Sequence, residues 1–453
     1  MRAVVAGGGL AGLAAAWGLR RAGIDALVLE SGASPGGTAS GFRDRNYTFD
    51  LVPQSLAARD PEIARLAEAW CGRPLLRGRR LVRILLEGKL YRHPPDGRDL
   101  LGSRGPAVAA GMLAGRLQLR LGQGAEATDY ASFMTARFGA PLYERFLAPI
   151  VEKITGLPAS EIGSEVARAT LSPGGWIGQA LRRALGKPER DEEHLYPEEG
   201  FPALAEGLSR ALERAGVEVL PQHRVMALCG SGARLEEVLA EGPRGPVRVR
   251  ADLVVSTLPV GALLDAMPLD ETADARAAAR QLRTRSLVVV HLGIRRDRLT
   301  ENNEILVPDP AVRFHRLSET VNYAPRMAPR GATGLSLEIA CDRHDAIWNE
   351  EDGAQVRHAI DDLCTLGFLR STGEVEAGWV RRVPEAIPIV TLAHAGLRQR
   401  IDRSLAPFTN LRRCGREGGL SAGDPVARIR QGLEIAADAG SEASAGQEPA
   451  RAA

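Results

Sequence analysis

The hydrophobic pattern of the chain's first stretch changes twice. Ala3–Ala6 is a short continuous apolar run, typical of a buried parallel strand. Good helix formers fill residues 13–20, and Gly23 follows where a glycine commonly ends a helix. Ala26–Leu29 is a second short apolar run. This pattern predicts a strand, a helix and a second strand.

Chemistry enters at the turn between the first strand and the helix. Gly7, Gly9 and Gly12 satisfy the pattern G-x-G-x-x-G. The first glycine permits a tight turn, the second lets the backbone approach a pyrophosphate, and the third lets the helix pack close to the strand. The backbone N–H groups at the helix start, around Leu10 and Ala11, would then face the phosphates.

An acidic residue stands at the end of the second strand. Glu30 lies eighteen residues after Gly12 and is followed by Ser31. A carboxylate at this place accepts hydrogen bonds from a ribose diol and favours an adenosine ribose without a 2′-phosphate. The alternative is a glycine-rich turn that binds nothing. Because the strand, helix, second strand and acidic residue are all in register, we interpret the stretch as a dinucleotide site.

Later patterns predict further elements. We expect a helix at Asp60–Gly72 and two further helices within Tyr130–Leu157, broken at Gly139 and Gly156. Another helix should follow the Tyr196–Gly200 turn, with Leu204, Leu208 and Leu212 buried. A last helix should begin after the N-cap residue Asp424. Short strands are expected from Val217 to Val255, and Ser286–Leu292 is expected to be a central strand in which His291 is a core residue rather than a catalytic one.

Composition narrows the class of protein. The 453 residues are 44% hydrophobic and carry 58 basic against 56 acidic side chains, so nothing indicates a nucleic-acid partner. The five cysteines are far apart and form no C-x-x-C, which favours a reduced cytoplasmic protein. No run of apolar residues is long enough to span a membrane. Val108–Gly122 could touch a membrane surface, although an ordinary packed helix is the favoured interpretation.

A second glycine pair places the chain beside a known family. Ser34–Gly41 is a small-residue loop that contains Gly36, Gly37 and Thr38, and Tyr47–Ser55 follows it. The two stretches resemble flavoproteins of the amine oxidase, protoporphyrinogen oxidase, phytoene desaturase and UDP-galactopyranose mutase type. The resemblance implies that the loop binds FAD and that Tyr47–Ser55 lies beside the flavin ring. Val52 and Gln54 stand where relatives often have glycine and histidine.

Other stretches are similar to the same family. Arg137–Gly156 resembles its helical segment, and Ala251–Pro259 resembles the strand that returns the chain to the dinucleotide domain. The resemblance implies that FAD is held by the main chain of Val225, by Thr257, by the Gly415–Arg416 turn and by the start of the last helix at Val426. FAD is preferred to NAD because an NAD enzyme needs no such returning turn. Relatives of the sugar-nucleotide mutase type usually have tyrosine and asparagine shortly after this turn, where this chain has Ala422 and Gly423.

One block resembles a particular subgroup. Arg313–Pro325, with Glu338 and Trp348 after it, is similar to bacterial sugar-nucleotide mutase-like and protoporphyrinogen-oxidase-like flavoproteins. Arg313 and Arg316 could direct a guanidinium toward an anionic ligand group, or they could lie on a solvated edge strand. Gln54, Arg316 and Tyr323 are our candidates for the substrate side. No nucleophile triad or metal-ligand cluster is apparent.

The expected architecture is an α/β Rossmann-type FAD-binding domain with a second, α+β substrate-binding domain. Residues 1–75, 196–265 and 401–437 are assigned to the first domain, 76–195 and 266–400 to the second, and 438–453 to a disordered tail. We expect a hydride to be removed from a small biosynthetic substrate, with a sugar or sugar nucleotide as one candidate. Two alternatives stay open: a non-redox mutase, and a flavoprotein fold that has lost redox function. The oligomeric state is left open.

Overall fold

The computed structural model describes residues 1–93, 127–170, 193–415 and 424–445. The strands are β1 Arg2–Ala6, β2 Asp25–Leu29, β3 Gly41–Asp44, β4 Tyr47–Asp50, β5 Leu56–Ala57, β6 Leu76–Arg79, β7 Val82–Leu86, β8 Lys89–Arg92, β9 Glu193–Tyr196, β10 Glu218–Leu220, β11 Arg224–Ser231, β12 Arg234–Gly242, β13 Gly245–Arg250, β14 Leu253–Ser256, β15 Arg283–Ile294, β16 Glu304–Leu306, β17 Arg316–Glu319, β18 Thr333–Cys341, β19 Val375–Ile389 and β20 Leu411–Arg413. The helices are α1 Leu10–Arg21, α2 Pro61–Cys71, α3 Tyr130–Phe138, α4 Ala140–Leu142, α5 Ala148–Thr155, α6 Ser164–Thr170, α7 Pro202–Arg214, α8 Val260–Ala266, α9 Leu269–Ala279, α10 Ala346–Asn349, α11 Asp352–Thr365, α12 His394–Leu405 and α13 Pro425–Ala445, with a π-helical turn at Tyr143–Leu147 between α4 and α5.

A parallel five-stranded sheet carries the N-terminal fingerprint. Its order is β10-β2-β1-β14-β20, and every neighbouring pair is parallel. Four of the five residues in both β1 and β2 are buried, as expected for strands covered on both faces. The sheet therefore takes its strands from three separated stretches of the chain. The domain boundaries themselves stay a prediction.

The last helix packs closely on the first. A Cβ atom on Gly432 would lie 2.2 Å from the carbonyl oxygen of Ala11, so only glycine permits this approach. Ala436 and Ala439 are each 1% exposed. Because small residues recur at helical spacing along this face, α13 continues to Ala445, past the predicted end near Ala437. The expected disorder from residue 438 is therefore wrong for residues 438–445, and residues 446–453 lie outside the described part.

A seven-stranded sheet forms the second large unit, in the order β19-β15-β18-β17-β16-β7-β8. Its pairs are antiparallel except for β16 with β7. One face of the sheet packs against α11. The other face packs against Leu51 and Val52 and against the helices α3–α5. Ser286–Leu292 lies inside β15, and His291 is fully buried with Nδ1 2.9 Å from the Ser336 hydroxyl. The prediction of a core histidine is confirmed.

Several predicted helices form with the expected signals. Asp60 caps α2, where its carboxylate accepts a hydrogen bond from the Ile63 N–H. The three leucines predicted to line α7 are all fully buried. Gly139 and Gly156 end α3 and α5 with positive φ angles of 82° and 68°. The Val108–Gly122 stretch lies outside the described residues.

Candidate functional site

The glycine-rich turn after β1 gives its three glycines different surroundings. Gly7 has a φ of +107°, and a Cβ there would lie 2.1 Å from the Thr257 hydroxyl. A Cβ on Gly12 would lie 2.0 Å from the Gly7 carbonyl oxygen. Apart from its chain neighbours, no described residue has an atom within 4 Å of a Cβ placed on Gly9. Two glycines therefore allow the backbone to pack closely, while the middle one borders open space.

That open space lies at the start of α1. Gly9 is the N-cap residue and offers no side chain to the first helical turn, whose leading residues Leu10 and Ala11 are buried. The first N–H groups of a helix have no partner within the helix and carry its positive end. This geometry suits the phosphates of a dinucleotide.

Glu30 follows β2 and is anchored beside the same turn. Its Oε2 accepts a hydrogen bond from the Gly8 N–H at 2.7 Å, and its Oε1 accepts one from the Gly32 N–H at 2.6 Å. The Ser31 hydroxyl is 3.5 Å from Oε1. Each carboxylate oxygen has a further lone pair for a ribose hydroxyl.

An open cleft continues from this point. Its volume is about 380 Å³, and its lining includes Ser31, Gln222 and Arg224. Val225, the next residue of β11, pairs with Ala240. The proposed contact between its main chain and an adenine ring stays a prediction.

The second glycine loop lies against the first. The Gly36 N–H donates to the Gly8 carbonyl oxygen at 2.8 Å, and a Cβ on Gly37 would lie 3.4 Å from the Gly9 Cα. Both Gly36 and Gly37 have positive φ angles, 128° and 55°. The loop therefore places bare backbone beside the helix start, and its predicted contact with FAD stays a prediction.

The C-terminal turn reaches the same groove. Gly415 has a φ of +84°, and a Cβ there would lie 3.4 Å from the Ala11 Cβ and 3.6 Å from the Thr257 Cβ. The Cys414 N–H donates to the Ser256 carbonyl oxygen, which fixes the turn to β14. Two ends of the polypeptide that are far apart in sequence thus meet at one place. Arg416, Ala422 and Gly423 lie outside the described residues.

The start of α13 joins this turn to Tyr47–Ser55, which we call the ring-side segment after the place that the family resemblance implies for it. Asp424 caps the helix through a 2.8 Å hydrogen bond from the Ala427 N–H, and Val426 is buried. Arg428, one turn further, donates to the Thr38 hydroxyl at 3.0 Å and to Gln54 Oε1 at 2.6 Å. Gln54 also donates through Nε2 to the Thr38 carbonyl oxygen at 2.6 Å. The sequence analysis did not single out Arg428. The one feature that could have indicated its role is its position one helical turn after the cap residue Asp424.

Arg316 and Tyr323 lie in a buried network of charges. Arg316 contacts Glu304 at 3.2 Å and Glu338 at 2.6 Å, and both carboxylates are 2% exposed. Arg80 and the Tyr323 hydroxyl also donate to Glu304. Burial opposes ionisation of Glu304, but its cationic neighbours and Tyr323 outweigh burial and lower its pKa to about 2.

These contacts change the interpretation of the two candidates. The strand β17 lies between β18 and β16 and is not a solvated edge. The guanidinium of Arg316 is neutralised by protein carboxylates, and its Nη2 lies 3.4 Å from the Pro53 carbonyl oxygen. Arg313 is likewise paired, with Glu350 at 2.6 Å. Neither arginine has its charge available for an anionic ligand, because each is paired with a carboxylate of the protein. The sequence pattern gave no sign of these partners.

Asp50 is a second residue that sequence reasoning did not single out. Its carboxylate accepts hydrogen bonds from the Tyr196 hydroxyl at 2.6 Å and from the Phe201 N–H at 3.0 Å. Burial raises the pKa of Asp50 to about 7 although these donors act in the opposite direction. The carboxylate ties the ring-side segment to the turn before α7.

The family model described as flavin-containing amine oxidoreductase matches residues 10–383. The chain belongs to this family. Its members are FAD-dependent oxidoreductases that act on small molecules, and the groove described above fits FAD because Gly9 leaves the helix start open. The Rossmann-type α/β fold predicted from the sequence is confirmed.

Individual proteins are similar over different lengths. Phytoene desaturase (lycopene-forming) from Pantoea ananas is 27% identical over 268 residues, which cover 53% of this chain and 52% of that protein. The matched region thus spans about half the length of that relative.

Solved structures match the fold over nearly the whole chain. Reduced UDP-galactopyranose mutase has a TM-score of 0.82 at 16% identity and covers 96% of this chain and 93% of its own. A putative protoporphyrinogen oxidase from Exiguobacterium sp. 255-15 has a TM-score of 0.76 at 22% identity, covering 97% and 99%. Cyclohexylamine oxidase from Brevibacterium oxydans has a TM-score of 0.69 at 13% identity, covering 98% and 99%.

In the parts of the chain that the structure describes, no helix is both long and apolar enough to cross a bilayer. Within the same residues no group of three or more potential metal-ligating side chains occurs. All five cysteines belong to these residues and are free.

Proposed function

We propose that this enzyme removes a hydride from a small intermediate of a biosynthetic pathway. The main support for this proposal is the groove that the N-terminal and C-terminal stretches form together. Gly415 lies against Ala11 and Thr257 there, and hydrogen bonds from Arg428 hold the ring-side segment beside it. FAD, when bound, accepts the two electrons and the proton of the hydride. The chain supplies position and shape.

Gln54 is proposed to position the segment rather than to transfer protons. Its amide oxygen and nitrogen are both engaged, with Arg428 and Thr38. An amide does not titrate near neutral pH and is therefore a poor general acid or base. Val52, two residues before it, offers only an apolar surface. Transfer of a hydride from a carbon atom needs no protein base at these two positions, and the proton that the oxidised substrate then loses would pass to solvent.

The substrate is a separate proposal. A sugar or sugar nucleotide was suggested by the Arg313–Pro325 block, but Arg316 and Tyr323 are engaged with the buried carboxylate of Glu304. The block therefore supports the fold and gives no particular support to a sugar. The curated relative is named as a desaturase, which favours oxidation over the mutase alternative.

The first experiment is an absorbance scan of the purified protein from the near-ultraviolet to the blue, before and after reconstitution with FAD. A flavin spectrum that bleaches under anaerobic addition of one member of a panel of small metabolites supports the proposal. Gly9→Val is the control, since a side chain there fills the space beside the helix start. Protein that never holds flavin, or bound flavin that no panel member reduces, counts against it.

The mutase alternative has a different signature. It requires product formation only after reduction by dithionite, with no oxygen or other acceptor consumed. A protein that retains FAD but performs neither reaction would match the third alternative, a fold that has lost redox function.

A further inference from the structure

Four side chains lie in one row across the seven-stranded sheet. Register pairs Arg381 with Val289, Val289 with Glu338, and Glu338 with Arg316. Residues directly opposite each other on neighbouring strands direct their side chains to the same face. Both arginines therefore lie on the face of the sheet against which Leu51 and Val52 pack.

The two arginines differ in how their charge is satisfied. Arg316 contacts two buried carboxylates, as described above. Arg381 donates one hydrogen bond, from Nη1 to the Val380 carbonyl oxygen at 2.9 Å, and its guanidinium stacks over the Phe42 ring at 4.0 Å. Among the described residues no carboxylate lies within 4.0 Å of it. Its half-buried side chain thus keeps most of its five N–H donors for a partner that the described residues do not provide.

The neighbouring arginine shows the contrast on the same strand. Arg382 directs Nε to the Trp348 carbonyl oxygen at 2.8 Å, Nη1 to the Asp352 carboxylate at 2.6 Å, and Nη2 to the Glu350 carbonyl oxygen at 2.5 Å. All three nitrogens are engaged. Within the described residues, Arg382 therefore has a partner for each nitrogen, whereas Arg381, on the opposite face of the sheet, does not.

The surroundings of Arg381 place it beside the ring-side segment. Phe42, on which it stacks, follows the paired-glycine loop directly in β3. Leu51 and Val52 pack against the same sheet face at Leu287 and Val289, and both stay partly exposed. A cation next to a partly open apolar wall suits a ligand that has both an apolar body and an anionic group.

We propose that Arg381 recognises the anionic group, a carboxylate or a phosphate, of the substrate. The planar guanidinium fork matches both groups in two-point geometry, and the Phe42 ring holds its plane fixed. This inference rests on the proposed function, because it names the class of substrate for the same site. It transfers to Arg381 the role that the sequence pattern suggested for Arg316.

The test uses the FAD-loaded enzyme and two simple anions. Benzoate and inorganic phosphate are titrated separately while the flavin absorbance is followed, and benzamide serves as the neutral match for benzoate. We expect wild-type protein to bind at least one anion saturably and to bind benzamide more weakly than benzoate. Arg381→Gln should weaken binding of that anion by about tenfold to a hundredfold, the usual cost of losing hydrogen bonds to a charged group. Benzoate alone would indicate a carboxylate, and phosphate alone a phosphate.

Two further variants keep the test decisive. Arg381→Lys retains the charge but not the two-point geometry, so it should bind the anion with intermediate strength and serves if the glutamine variant holds no FAD. Arg382→Gln should lower the melting temperature and leave the anion affinity unchanged. No saturable response of wild type to either anion, equal affinity for benzoate and benzamide, or unchanged affinity in both Arg381 variants would overturn the inference. Failure of the hydride-transfer proposal is recognised separately, by bound flavin that no substrate bleaches.

Discussion

Replacing Glu304 with glutamine should destabilise the fold more than most single changes do. The Glu304 carboxylate is 2% exposed and accepts hydrogen bonds from Arg80, at 2.7 and 2.9 Å, and from the Tyr323 hydroxyl at 2.6 Å, besides its contact with Arg316. Glutamine keeps the size of the side chain but removes its charge. Arg316 would then keep only the Glu338 carboxylate of its two carboxylate partners, and Arg80 would lose the carboxylate that accepts two of its hydrogen bonds.

Two lines of reasoning give the size of the effect. Removing one member of a buried ion pair typically costs about 3–5 kcal/mol, because the remaining charge stays buried without its partner. The pKa of Glu304 falls from an ordinary 4.5 to about 2, which at about 1.4 kcal/mol per pH unit corresponds to about 3 kcal/mol. We therefore expect Glu304→Gln to lower the free energy of unfolding by about 3 kcal/mol at neutral pH.

The sign of the pH dependence follows from the same pKa. Because folding lowers it, the stabilising contribution of Glu304 is present above pH 4.5 and is lost as the pH falls toward 2. The glutamine variant cannot titrate, so its loss of stability relative to wild type should shrink across this window.

Urea unfolding followed by circular dichroism, repeated at several pH values, measures both quantities. Glu301→Gln is the matched control, since Glu301 is exposed and lies three residues away in the same segment. It should unfold at the same urea concentration as wild type. An unfolding midpoint for Glu304→Gln equal to that of the control, or a deficit that does not depend on pH below 4.5, would refute the reasoning.

Four other substitutions should give distinct results. Gly9→Val should abolish FAD retention with little change in the melting temperature of the apoprotein. Gly12→Val should prevent folding, because its Cβ would lie 2.0 Å from the Gly7 carbonyl oxygen. Reconstitution with FAD and thermal melting distinguish the two variants. Gly432→Val should lower both the melting temperature and FAD retention, because its side chain would collide with the Ala11 carbonyl oxygen and displace α13. Burial raises the pKa of Asp50 to about 7 and favours the protonated form in the fold, so wild-type protein should lose stability as the pH rises from about 4 to about 7. Asp50→Asn cannot titrate and should not show this loss. Melting curves measured across this pH range check the prediction.

Local sequence signals predicted the cofactor groove well. A glycine with positive φ, a short apolar run and a helix cap each impose a conformation on their own residues, so Gly7, Ala26–Leu29 and Asp424 could be interpreted without knowing their neighbours. The meeting of Gly415 with the first glycine turn was also predicted, although it came from the family resemblance. Physical reasoning on the C-terminal turn alone gave no partner for it.

Predictions about the substrate side depended on contacts between strands. Arg316 looked like a free cation because its partners, Glu304 and Glu338, lie on the strands on either side and have no fixed sequence distance from it. Arg381 carried no motif and was not noticed. Charge neutralisation is a property of the assembled sheet, so a single sequence cannot tell which of two arginines is paired.

The frame around the ring-side segment bears on the meaning of Val52. Asp50 is fixed by the turn before α7, Pro53 lies against Arg316, and Gln54 is tied to the paired-glycine loop and to α13. Because the residues on both sides are held by four different parts of the molecule, the segment has little freedom to shift and make room for a branched side chain. The extra volume of Val52, where relatives often have glycine, must instead be taken from the space above the segment. We propose that the side chain of Val52 therefore reduces the space beside this segment, while the backbone of the segment stays in place.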